Sequence, residues 1–357
     1  MRQNKFFFIA FLICSVTVLF NFILVELGLI DHVHKLGSGF NDDRLYVSKI
    51  EVQFLLKEAD KLNRLFFLWA RFLNYNPLLI KFFNALLYSF TIYEASKILK
   101  HYKLKFSITP FLLLAPCLIV IHKEFLLLTF VTIFLRLNIT TKPYIKNLVF
   151  ELLLVGLIFM LRYWMAFPLL LLLYLRLLKS SYKYAGYLLI IIIILLGWYN
   201  INYISEFILQ NVTTRAIEMS SEALNYGLLN SNESSWSGMY SNNFFYIVFQ
   251  YFFHPIISSN HQLYNSFLFV PLLLIFTVFI DFRKAYNSHK EILFLLTFLM
   301  ITIIALNFGS NVRYKFITAF LSILLLNLSN GMFFNRKFYR LLTLFIIYNI
   351  PLSLIRF

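Results

Sequence analysis

Apolar residues run along this chain in long unbroken stretches, separated by short clusters of Lys and Arg, and no extended stretch alternates apolar with polar. Unbroken runs of this kind predict helices rather than strands. The stretches lie at roughly 6–30, 78–96, 106–122, 124–138, 147–161, 163–178, 184–205, 265–281, 292–308, 315–329 and 340–355. Taken as spans, they number about eleven. The reading is therefore an all-α, polytopic integral membrane protein, with residues 1–357 forming a single membrane domain. In hydrocarbon every backbone N–H and C=O must be satisfied within the segment or in a closed barrel, and continuous apolar runs favour the helix.

Two segments between the runs are long enough to carry function. Residues 31–77 form a first external loop, in which Leu55, Ala59, Leu62, Phe66, Trp69 and Leu73 recur at spacings of four and three. Lys57, Glu58, Lys61, Arg64 and Arg71 fall between them, which is the pattern of an amphipathic helix on a membrane surface. Residues 206–264 form a second external segment, polar and rich in Ser and Asn before an aromatic run that ends at His254-Pro255.

Composition agrees with this picture: 60% of residues are hydrophobic and 13% charged, against about 25% charged in soluble domains. The net charge of +16 is spread over short loops, where cations set topology, and no separate basic domain is present to hold nucleic acid. Threading from a cytoplasmic N-terminus groups Lys97, Lys100, Arg136, Arg176, Lys179 and Lys290, among others, on the inner side. Apart from the first loop, Lys81, Lys123, Arg162, Arg215, Arg313, Lys315 and Arg356 fall outside. The apolar run after Met1-Arg-Gln-Asn-Lys5 is too long for a cleaved signal and reads as a retained anchor. Cys14 and Cys117 sit in apolar runs, and the histidines fit no zinc spacing, so neither a metal nor a cofactor is expected.

Three stretches read as short hairpins with charged tips. The tips are Lys123-Glu124, Arg162-Tyr-Trp164 and Gly309 to Lys315. Legs shorter than about 20 residues bring a tip below the headgroups, where a charge is costly unless it lines a cavity. Several cations recessed on one side make an anion site, and a lipid-linked phosphate or pyrophosphate is the candidate anion. A lone cation between apolar runs is more often an anchor; the grouping is what raises the functional reading. Asp42-Asp43 follows Gly37 and Gly39 in the first loop. A carboxylate there suits general-base work on an attacking sugar hydroxyl, although an Asp pair is also a common helix cap.

Asn41-Asp-Asp-Arg-Leu-Tyr46, Ala115-Pro-Cys-Leu-Ile-Val-Ile-His-Lys-Glu124, Arg162 ahead of Pro168, and Gly309 to Tyr314 resemble elements of the bacterial GT-C glycosyltransferases and the Wzy-type O-antigen or capsule polymerases. The Arg-rich external loops of such polymerases are poorly met, since 206–264 holds Arg215 alone. The resemblance implies a GT-C-like arrangement in the inner membrane of a bacterium. It implies glycosyl transfer between undecaprenyl-pyrophosphate-linked repeat units on the periplasmic face. Asp42 and Asp43 would be catalytic. Arg44, Lys123, Glu124, Arg162, His254, Arg313 and Lys315 would bind the pyrophosphate or glycan. Membrane lipid, a chain-length regulator and a flippase of the same pathway are the implied partners. A single-sugar transferase, a flippase, an acyltransferase of the same polysaccharides and a non-catalytic assembly subunit are the rival readings.

Overall fold

The structure, a computed structural model, describes residues 2–27, 64–74, 76–119, 123–142, 144–180, 182–187, 190–191, 280–305, 315–329 and 340. Among them every regular element is helical. The elements used below are α1 (Arg2–Glu26), α2 (Arg64–Phe72), α3 (Pro77–His101) and α4 (Thr109–Leu112). They continue with α5 (Glu124–Thr140), α6 (Ile145–Leu161), α7 (Tyr163–Leu178), α8 (Phe282–Ser288) and α9 (Lys290–Ala305), and α10 covers 315–329.

Local chemistry sets the limits of α3. The Asn76 side chain accepts the Leu79 N–H at 3.1 Å, and Pro77 occupies the first turn, where its missing N–H costs nothing. At the other end Lys103 takes a left-handed φ of 57°. The Leu104 N–H then reaches back to Leu99 O at 3.0 Å and the Lys103 N–H to Lys100 O at 2.9 Å, a Schellman closure with lysine in the glycine position.

Contacts between side chains give the directions of the helices. Tyr88 packs on Phe125, the hydroxyls of Thr91 and Thr129 lie 2.9 Å apart, and Glu94 pairs with Arg136, so α3 and α5 run parallel. Phe7 meets Tyr93 while Cys14 lies against Ser89, so α1 runs antiparallel to α3. α6 and α7 form a hairpin that turns on one residue, Arg162, whose φ of −155° and ψ of 92° break the helix. α10 is buried on all sides. Phe316 packs on Tyr88 and Phe125, and Phe320 packs on Tyr88 and Phe111. The Tyr88 hydroxyl donates to Phe111 O, which fixes α4 against α3.

The all-helical expectation holds for the described residues; the eleven-span polytopic class does not. Among the described residues no helix is long and apolar enough to cross a membrane. α5 and α6 have 17 residues, α7 and α9 have 16, lengths of about 24–26 Å against a hydrocarbon core of about 30 Å. α3 has 25 residues but carries Lys81, Glu94, Lys97 and Lys100. The expected span at 106–122 is broken into α4 and a 3-10 turn, Ala115–Ile119. Pro116 has no N–H to donate one turn back, so a regular α-helix does not run through it. The apolar runs misled because a helix hydrophobic on all sides is read equally well as a span or as a buried core element. α10 is of the second kind.

The left-handed lysine gives a direct test of this local reading. Lys103→Gly removes the Cβ penalty at that φ and is expected to stabilise the purified protein by about 1 kcal/mol. Thermal unfolding checks it: an unchanged or lower midpoint would remove the Schellman assignment.

Candidate anion-binding site

The end of the bundle where α5 and α10 begin gathers charged residues that the sequence had scattered. Glu124 opens α5 and is fully buried. Arg162, at the tip of the α6–α7 hairpin, places its guanidinium 2.6 Å from the Glu124 carboxylate. An acid in the first turn of a helix also faces the positive end of the helix dipole. Lys123 immediately precedes Glu124 and is 3% exposed. Lys315 is the first described residue of α10 and is 0% exposed, next in sequence to Phe316, whose ring packs on Phe125.

α3 adds two polar residues to the same end. Lys81, Asn84 and Tyr88 stand at i, i+3 and i+7, which puts them on one face of the helix. Lys81 and Asn84 are both buried, and Tyr88 packs on Phe125 and Phe316. Four cations and one carboxylate, all buried or largely so, therefore share this end among the described side chains. Water is scarce around them, so each ammonium or guanidinium requires oxygen atoms close by. A guanidinium carries its N–H donors in a rigid planar fork, a shape that matches carboxylate and phosphate oxygens alike.

Two further buried carboxylates belong to other parts of the bundle. Glu94 on α3 is held by Lys97 at 2.9 Å and by Arg136 of α5 at 2.5 Å, the latter a charge contact rather than an aligned hydrogen bond. Glu151 on α6 receives the Arg176 guanidinium, which also donates to Thr141 O at 2.5 Å and to Thr141 Oγ1 at 3.1 Å. Arg176 thus ties α6, α7 and the end of α5 together, a structural task that accounts for its donors.

Of the candidates named from sequence, Lys123, Glu124, Arg162 and Lys315 fall at this one end. Asp42, Asp43, Arg44, His254 and Arg313 lie outside the described residues, as does most of the amphipathic stretch before Arg64. The first expected hairpin is not a pair of helices, because its first leg is broken; the second is a helical hairpin on Arg162. Lys81 and Asn84 were missed as site residues. The signal was there: a Lys and an Asn three residues apart in an otherwise apolar helix start. Among the described residues no His, Cys, Asp and Glu cluster is arranged to hold a metal. Neither family models, nor curated proteins, nor solved structures include one that matches this chain.

If the Glu124–Arg162 pair is the scaffold of this end, removing one half costs more than removing both. Glu124→Leu leaves a cation in a dry site and Arg162→Met leaves a carboxylate there, and each is expected to cost about 3–5 kcal/mol. The Glu124→Leu/Arg162→Met double variant is expected to recover most of that loss. Denaturant unfolding of the three variants beside the wild type decides: two single costs that simply add would show that the pair is not coupled.

Proposed function

We propose that this end of the bundle binds the phosphate or pyrophosphate of a lipid-linked saccharide, and that the protein transfers glycan between such carriers. The observation that carries the reading is the grouping of Lys81, Lys123, Arg162 and Lys315, recessed at one end around one buried carboxylate. A multiply charged anion of small radius suits such a site, because desolvated cations act at short range with little screening. Arg162 would take oxygens in bidentate fashion; the lysines would act as point charges.

The outside of the bundle supports a lipid environment for the ligand. α1 exposes Phe8, Leu12, Val16, Phe20 and Ile23, and α6 exposes Val149, Phe150, Leu153, Phe159 and Met160. Apolar surface that extends over whole helix faces needs lipid or a protein partner. Acyl chains would cover these faces in the reading offered here, which places the protein at the cytoplasmic membrane of a bacterium. Residues 28–63, which include Asp42 and Asp43, begin after α1 and end before α2, and α1 finishes at the end of the bundle that holds the cations. Asp42 or Asp43 would serve as the base for the attacking hydroxyl. The reaction would be polymerisation of undecaprenyl-pyrophosphate-linked repeat units, as in the polymerases the sequence resembles.

The test separates binding from folding by removing the Arg162 guanidinium without stranding Glu124. The Glu124→Leu/Arg162→Met double variant and Lys315→Met are each expected to weaken binding of undecaprenyl pyrophosphate by about tenfold to a hundredfold. In the native host they are expected to shorten the surface polysaccharide ladder, with the protein still present in membranes. Arg176→Ala is expected to lower stability without this selective loss of binding. Full ladders and unchanged binding in the double variant and Lys315→Met would sink the proposal.

A further inference from the structure

The opposite end of the bundle is also rich in cations, but there they are exposed. The Tyr102 and His289 rings meet at 4.4 Å, which brings the end of α3 to the junction of α8 and α9. Arg176 joins the end of α7 to the end of α5 and the start of α6 through Thr141 and Glu151. Phe6 on Phe106 adds the start of α1. Lys100, Lys103, Lys105, Lys146, Lys179 and Lys290 all project from this face and are exposed. On this face the described residues add two carboxylates outside the buried pairs, Asp281, exposed, and Glu291, half-buried. Asp281 is committed to capping α8 through the Lys284 N–H at 3.0 Å.

Two ammonium groups on this face approach each other. Lys290 lies near enough to Lys179 to lower its pKa from the ordinary value, by side-chain contact and by charge. Like charges brought together on an exposed surface mark a place where an anion lowers the energy. Around the rim, Tyr144, Tyr184, Phe282 and Tyr286 are exposed between the lysines. Amphipathic rings of this kind favour the boundary between headgroups and acyl chains. The rim then continues into the exposed apolar face of α6.

We infer that this basic face is a docking surface for anionic phospholipid headgroups. The charge density is complementary to a negatively charged leaflet, whose surface potential rewards each added cation. The aromatic rim and the adjoining apolar faces select lipid over nucleic acid, since a duplex offers nothing to cover them. Lysine stems also lie along apolar surface while the ammonium groups reach outward to phosphate. The surface is distinct from the recessed site, and its test does not depend on that site.

Purified protein diluted from detergent into vesicles tests the inference. One set is phosphatidylcholine alone; in the other, part of it is replaced by phosphatidylglycerol. Flotation is expected to recover more protein on the anionic vesicles, and the excess is expected to vanish at high salt. Lys146→Gln, Lys179→Gln and Lys290→Gln are each expected to lower the anionic-to-neutral ratio by up to about fivefold. Circular dichroism checks that every variant is folded. Equal recovery on both vesicle types would overturn the inference. So would variants that match the wild type, or a DNA duplex that strips the protein from anionic vesicles.

Discussion

A carboxylate sealed inside an apolar helical bundle has to be met by a cation at a fixed place, and this requirement shapes the molecule more than any single apolar contact. Glu94, Glu124 and Glu151 are all but inaccessible, and each is met by an arginine from a different helix or from the hairpin tip. Leu and Phe side chains tolerate sliding by a residue or a turn, since one apolar neighbour substitutes for another. A buried ion pair does not, because displacement leaves both charges uncompensated, at a cost of several kcal/mol. Glu94 with Arg136 fixes α5 along α3. Glu151 with Arg176 fixes α6 along α7 and draws in the end of α5 through Thr141.

Given that framework, the position of the Arg162 tip follows. The α6–α7 hairpin is pinned at one end by Arg176, and its legs of 17 and 16 residues then deliver Arg162 to the start of α5. The aromatic cluster of Tyr88, Phe125, Phe316 and Phe320 sets the depth of α10, and so the depth of Lys315. Hydroxyls in the core add little tension to this arrangement. Thr129, Thr132 and Ser322 each reach a carbonyl one turn back, so these hydroxyls are satisfied within their own helices.

What could be read from the sequence divides along physical lines. Helix character was legible wherever apolar runs were long, and the limits of α6 and α7 were close because Arg162 stands at the break between them. The grouping of cations into two sets, Lys81, Lys123, Arg162 and Lys315 against Lys97, Arg136, Arg176, Lys179 and Lys290, is also the grouping found at the two ends of the bundle. The broken segment at 106–122 was not foreseen, although Pro110 and Pro116 are both visible there; hydropathy outweighed them. Nor did hydropathy tell a lipid-facing run from a protein-facing one, since α10 satisfies its apolar surface with other helices. Pairings across the fold were out of reach: Glu124 with Arg162 and Glu151 with Arg176 are distant in sequence and depend on which helices become neighbours.

The two ends differ in a way that bears on what each can recognise. Recessed cations such as Lys123 and Lys315 sit where the effective dielectric is low, so their field is strong, short in range and little affected by salt. Such a site rewards a small ligand that brings concentrated charge into the protein and loses its water there. Exposed cations such as Lys100, Lys146 and Lys290 are screened within about 10 Å at ordinary ionic strength. They respond to an extended surface that presents many weak charges at once, and they release it when salt rises. Arginine and lysine are distributed accordingly: arginines fill the buried pairs, where a planar fork matches a carboxylate, while lysines dominate the exposed face, where a mobile point charge serves better. The same net positive charge is thus set in two different environments, and burial, not composition, separates them.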